Sequence, residues 1–116
     1  MTFEYNDMHM VIDLSDADSM ERLENAFYEL ESAGENEPKD GRLSALMRYQ
    51  IIAFRRFFDA VFGDGTSEQM FGQVYNYDVT AKAYADFCDS LRLARLEQER
   101  RFDAILNKYS PKRVKK

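Results

Sequence analysis

A chain of 116 residues has room for one domain with a modest core of its own and leaves none for a second. Its composition, 45% hydrophobic, 14% aromatic and 32% charged, is too apolar for a disordered chain, yet no stretch approaches the roughly 18 apolar residues a membrane span needs. A single cysteine, Cys88, excludes an internal disulfide, and a single histidine, His9, excludes a multi-histidine metal site and most nucleophile–base pairs.

The net charge of −5 hides a strong polarity along the chain. Residues 1–41 carry 12 acidic and 2 basic residues, a net −10, whereas residues 42–116 carry 9 acidic and 14 basic, a net +5. The opening sequence lacks the basic-then-apolar order of a signal peptide, so the expectation is a cytosolic protein.

Residues 1–14 begin with alternating apolar and polar residues, which suits an extended segment with Met8, Met10, Ile12 and Leu14 on one face. Such a strand needs a partner, either within a short hairpin here or in another copy of the chain, so a homo-oligomer is one expectation. Ser15 reads as an N-cap, with Asp16, Asp18 and Glu21 suited to the positive end of a helix over 16–33. Met20, Leu23, Phe27 and Leu30, with Ala26 between, form its apolar stripe, and Gly34 stops it before a polar linker at 35–41.

A second helix is predicted over 42–62, its stripe of Leu43, Met47, Gln50, Phe54, Phe57 and Val61 broadened by Leu46, Ile51, Phe58 and Phe62. An apolar surface that wide marks the central helix. Gly63 ends it, and a single helical turn, Ser67 to Phe71, follows with Thr66 or Ser67 as its cap and Gly72 as its stop. After a loop at 73–77, Asp78 is the expected cap of a last helix over 79–109, whose stripe runs through Tyr84, Phe87, Cys88, Leu91, Ala94, Gln98, Phe102, Ile105 and Tyr109. The charged run from Arg92 to Arg101 predicts that its second half projects into solvent or packs on a partner. Ser110-Pro111 ends it, leaving 110–116 as a flexible basic tail. The fold class expected is all-α: three main helices and one short turn in a single helical domain, residues 1–109, with a minor extended N-terminal segment.

Catalytic chemistry finds no foothold in this pattern, and no enzyme, cofactor or metal site is expected. Cys88 lies on an apolar stripe beside Phe87 and Leu91, the setting of an inert thiol, and His9 sits in the alternating segment. Asp86 and Asp89 share a helix face and Asp59 and Asp64 flank a turn, but neither pair has the alternating acid spacing of a calcium loop. Glycines 63, 65 and 72 lack the Lys-Ser/Thr of a phosphate loop. Arg55, Arg56, Arg92, Arg95, Arg100, Arg101 and the terminal lysines could form a basic stripe for nucleic acid; the acids Glu97, Glu99 and Asp103 interleaved among them make a nucleic-acid-binding or regulatory protein the alternative and not the leading reading.

The stretch Phe57-Phe58-Asp59-Ala60-Val61-Phe62-Gly63-Asp64-Gly65-Thr66 through Phe71-Gly72, followed by Asn76, Tyr84-Ala85-Asp86-Phe87 and the ending Lys108-Tyr109-Ser110-Pro111-Lys112-Arg113, resembles small proteins of tailed bacteriophages and prophages of Gram-positive bacteria. The resemblance spans about residues 45–113 and departs from the family's tail pattern at Lys112 and Val114. It implies a tail assembly chaperone that keeps tail tube or tape measure proteins soluble in the host bacterial cytoplasm, with no catalytic residue to inherit. The residues nominated for partner contact are Phe58, Phe62, Met70 and Phe71 at the aromatic helix end, and Leu93, Leu96 and Arg100 on the last helix.

Overall fold

The computed structural model describes residues 1–109; the terminal segment read as a basic tail, with its Ser110-Pro111 stop, lies outside the described residues. The elements in chain order are β1 (Thr2–Tyr5), β2 (Met8–Val11), α1 (Ala17–Glu35), α2 (Leu43–Phe62), α3 (Thr66–Phe71) and α4 (Tyr77–Tyr109). The architecture is mostly helical, with a small N-terminal hairpin.

The extended segment folds back on itself. β1 and β2 pair antiparallel, with Phe3 opposite Met10 and Glu4 opposite His9. The reversal falls at Asn6-Asp7, where Asn6 takes φ 53°, a left-handed conformation that asparagine tolerates better than most side chains. The pairing continues past the strands, since Ile12 donates its N–H to the Met1 carbonyl and the Met1 amine donates to the Ile12 carbonyl. Met10, Ile12 and Leu14 are buried and Met8 half-buried, as alternation requires, and Phe3 joins them by lying edge-on against Phe87 at 5.4 Å.

The caps differ by a residue or two from their predicted places. Asp16, not Ser15, caps α1, its carboxylate accepting the Ser19 N–H at 2.9 Å, while Ser15 donates its own N–H to Asp13. The helix runs through Gly34 to Asn36, whose backbone and side-chain N–H groups both return to the Ser32 carbonyl. At α4 the cap is Asn76 and not Asp78: its side-chain oxygen accepts the Val79 N–H at 3.1 Å. In each case a neighbouring side chain of equal capping capacity has the geometry to reach the third N–H.

α2 is the central helix and packs against α1, α3 and α4. It runs antiparallel to α1, since Arg22 reaches the Val61 carbonyl at one end and Tyr49 donates to the Ala33 carbonyl at the other. It runs parallel to α4, because Phe54 meets Tyr77, Phe57 meets Tyr84 and Phe62 meets Phe87. Phe57, Phe58 and Phe87 are fully enclosed and mutually edge-on at 5.5–6.1 Å, an arrangement aromatic rings favour. Burying each contributes roughly 2–3 kcal/mol. Leu43 and Met47, at the start of the α2 stripe, are exposed, since this end of α2 extends past the level at which Tyr49 meets the end of α1.

Candidate protein-contact surface

The aromatic helix end from Phe57 to Gly72 is a structural joint. Gly63 and Gly65, at φ 115° and 91°, reverse the chain in conformations that a side chain would strain. Neither Thr66 nor Ser67 caps α3 with its side chain; that work falls to Asp59 on α2, whose Oδ1 accepts the Ser67 N–H at 2.8 Å while Oδ2 accepts the buried Ser67 hydroxyl at 3.0 Å. Gly72 closes α3, and its carbonyl accepts a hydrogen bond from Arg55 Nη2 at 3.0 Å.

Arg55 is the one charged side chain in the described core, 6% exposed. Nη2 also meets Glu68 Oε1 at 3.2 Å, the guanidinium lies 4.6 Å over the Tyr75 ring, and Nη1 is enclosed with no acceptor among the described residues. Arg48 approaches the same tyrosine, 5.5 Å from the ring centre. The arginine ties α2 to α3 and to the following loop. Nothing in the local pattern singles it out, because its burial depends on that loop folding back over it.

The nominated contact residues therefore divide. Phe58, Met70 and Phe71 are in the core and present no surface, and Phe62 is half-buried against Phe87. Leu93, Leu96 and Arg100 are exposed on α4, three and four residues apart and so on one side of the helix. Arg100 lies 2.9 Å from Glu97, and Arg92 lies 3.9 Å from Asp89, so two of the cations of this helix face carboxylates one turn away.

The opposite side of α4 continues the core stripe beyond the core. Phe87 is enclosed, Leu91 and Ala94 are half-buried, and Gln98 makes the last tie to the body by donating to the Leu14 carbonyl at 3.0 Å. Past it, Phe102, Ile105 and Tyr109 keep the same helical register but are 59%, 55% and 72% exposed. A helix of 33 residues is about 50 Å long. It gives the molecule its 61 Å long axis and carries these side chains away from the hairpin end of the bundle.

At the other end, the antiparallel pair α1–α2 leaves an open groove of about 610 Å³. Ala26, Ala33, Ile52 and Ala53 contribute small or apolar lining, Glu29 stands on the α1 side and Arg56 on the α2 side.

Reactive groups are held quietly. Partial burial pushes the Cys88 thiol up, and burial likewise raises the Tyr84 hydroxyl. His9 Nδ1 lies 3.4 Å from Glu4 Oε2 across the hairpin, with both side chains exposed. Among the described residues no group of three or more His, Cys, Asp or Glu stands ready to hold a metal ion, and no helix is long and apolar enough to cross a membrane.

Residues 6–116 match the model of a family of unknown function, DUF6673, over nearly the whole chain. The chain belongs to that family. No curated protein and no solved structure matches it. For this DUF6673 member, the match takes in α1 to α4 together with the turn and second strand of the hairpin, so the joint, the groove and the projecting helix all lie within the family's span.

Proposed function

We propose that the chain is a non-enzymatic tail assembly chaperone of a tailed phage or prophage, which holds a tail tube or tape measure protein in the host bacterial cytoplasm through the projecting half of α4. The observation that supports this reading is the exposure of large apolar side chains along the second half of α4: Leu93 and Leu96 on the side turned away from the body, and Phe102, Ile105 and Tyr109 on the other side, past the Gln98 contact. A helix presented this way can cover apolar surface on a client and release it, since its own fold does not depend on the contact. The resemblance of residues 45–113 to small phage tail proteins supplies the kind of client, and the aromatic joint that carries much of that resemblance sets the course of α4.

Co-expression tests the reading. A tail tube or tape measure protein from the same genome should become soluble with this chain and lose that solubility when Leu93 and Leu96 are both changed to aspartate. Clients that stay insoluble with the intact chain, or stay soluble with the variant, would sink the proposal.

A further inference from the structure

We propose that the Phe102 side of α4 docks into the α1–α2 groove of a second copy of the chain, joining copies head to tail. Phe102, Ile105 and Tyr109, with the half-buried Leu106 between, stand at positions i, i+3, i+4 and i+7, the anchor spacing of a helix laid in a groove. The groove offers a complementary floor in which Ala26, Ala33 and Ala53 leave space between the larger Ile52 and Phe57.

Charge selects the second copy as the occupant. Arg101 and Lys108, a heptad apart, flank the stripe on one side, and Glu99 and Asp103, four residues apart, flank it on the other. The groove is divided in the same sense, with Glu29 on its α1 rim and Arg56 on its α2 rim. Neither rim residue has an ion-pair partner among the described residues, nor has Arg101 or Lys108. A helix seated with its basic flank against Glu29 and its acidic flank against Arg56 satisfies both rims at once, and the reverse seating sets like charges together. Beyond the rims, Glu21, Glu24, Glu31 and Glu35 on α1 are exposed and likewise unpaired among the described residues, which attracts the basic end of another chain over a longer range.

A molecule cannot satisfy its own groove. The projecting stripe leaves the bundle where Gln98 meets Leu14, at the start of α1, while the groove lies along Ala26 to Asn36 near the other end. One copy's stripe therefore meets another copy's groove, and the contact is heterologous: it leaves a free stripe and a free groove at the two ends, so it propagates into a chain or closes as a ring. This association stands apart from client binding, which the Leu93 side of the helix can serve.

Sedimentation velocity with two complementary variants tests the proposal. Wild type should grow past a dimer as concentration rises, less so in added salt. Ile105→Asp spoils the stripe at an exposed position, and Glu29→Lys makes both rims basic, so that either seating sets the basic flank of the stripe against a like charge; each variant, checked for a native melting curve, should weaken self-association at least about tenfold. Mixed together, they should form a 1:1 dimer and nothing larger, because one retains a working groove and the other a working stripe. The proposal is overturned by a wild type that stays monomeric, by a mixture of folded variants that fails to pair, or by a rim variant that still dimerises alone, which would mean that two stripes pair with each other.

Discussion

Replacing Asp59 by alanine removes two hydrogen bonds at once. The first is the cap on the Ser67 N–H at 2.8 Å, and losing an N-cap typically costs about 1 kcal/mol. The second, at 3.0 Å, leaves the buried Ser67 hydroxyl without a partner, a further cost of about 1–3 kcal/mol. Asp59→Ala should therefore destabilise by roughly 2–4 kcal/mol, a large share of the 5–15 kcal/mol typical of a domain. Asp59→Asn keeps one acceptor for the amide and a group that can pair with the hydroxyl, and should cost about 1 kcal/mol or less. The double variant Asp59→Ala, Ser67→Ala no longer buries an orphaned hydroxyl, so it should be less destabilised than the two single changes predict by about 1–2 kcal/mol. Urea melts of the wild type and of the four variants, Ser67→Ala included, measure all of this. Strict additivity, or an asparagine variant as unstable as the alanine one, would refute the idea that Asp59 holds α3 through Ser67.

Three further outcomes are expected. The Asp16 carboxyl is held below the ordinary carboxylate range chiefly by the Ser19 backbone N–H, so the cap's contribution is present above the unfolded value near 3.8 and is lost as pH falls through the lower folded value; the Ser19 amide followed by NMR should change only below that range. The Cys88 thiol, raised mainly by burial, should be alkylated by iodoacetamide far more slowly in the native protein than in denaturant. Phe57→Ala, in the middle of four aromatic neighbours, should cost about 3–5 kcal/mol in urea melts, whereas Ile105→Ala on the projecting helix should change the stability of the dilute protein by less than about 0.5 kcal/mol.

The helices were legible because their apolar residues recur at helical spacing, and the breadth of the α2 stripe identified the central helix before any contact was known. Cap positions were less so: Ser15, Asp16 and Asp18 can all cap, as can Asn76 and Asp78, and only the path of the incoming chain decides between them. The periodicity of α4 carried Phe102, Ile105 and Tyr109 onto the same stripe as Phe87. Where the body ends along that stripe is set by the contact of Gln98 with Leu14, ahead of α1, which no local pattern reveals. Phe58, Met70 and Phe71 show the converse, since an aromatic cluster beside a turn reads equally as a surface or as a joint until the hairpin is seen to close over it through Phe3 and Tyr5. The groove was the least accessible feature, because it belongs to two helices whose antiparallel pairing is fixed by contacts such as Tyr49 to Ala33.

The central claim is that the projecting part of α4 is where this protein meets others. Amide hydrogen exchange across residues 93–109, compared between the dilute protein alone and the protein with a soluble tail tube or tape measure client, tests it most directly. Fast exchange in the free protein that slows at least about tenfold in the complex, while the Phe57–Gly72 joint is unchanged, is the predicted result. A client that binds and leaves α4 exchanging as before would contradict it.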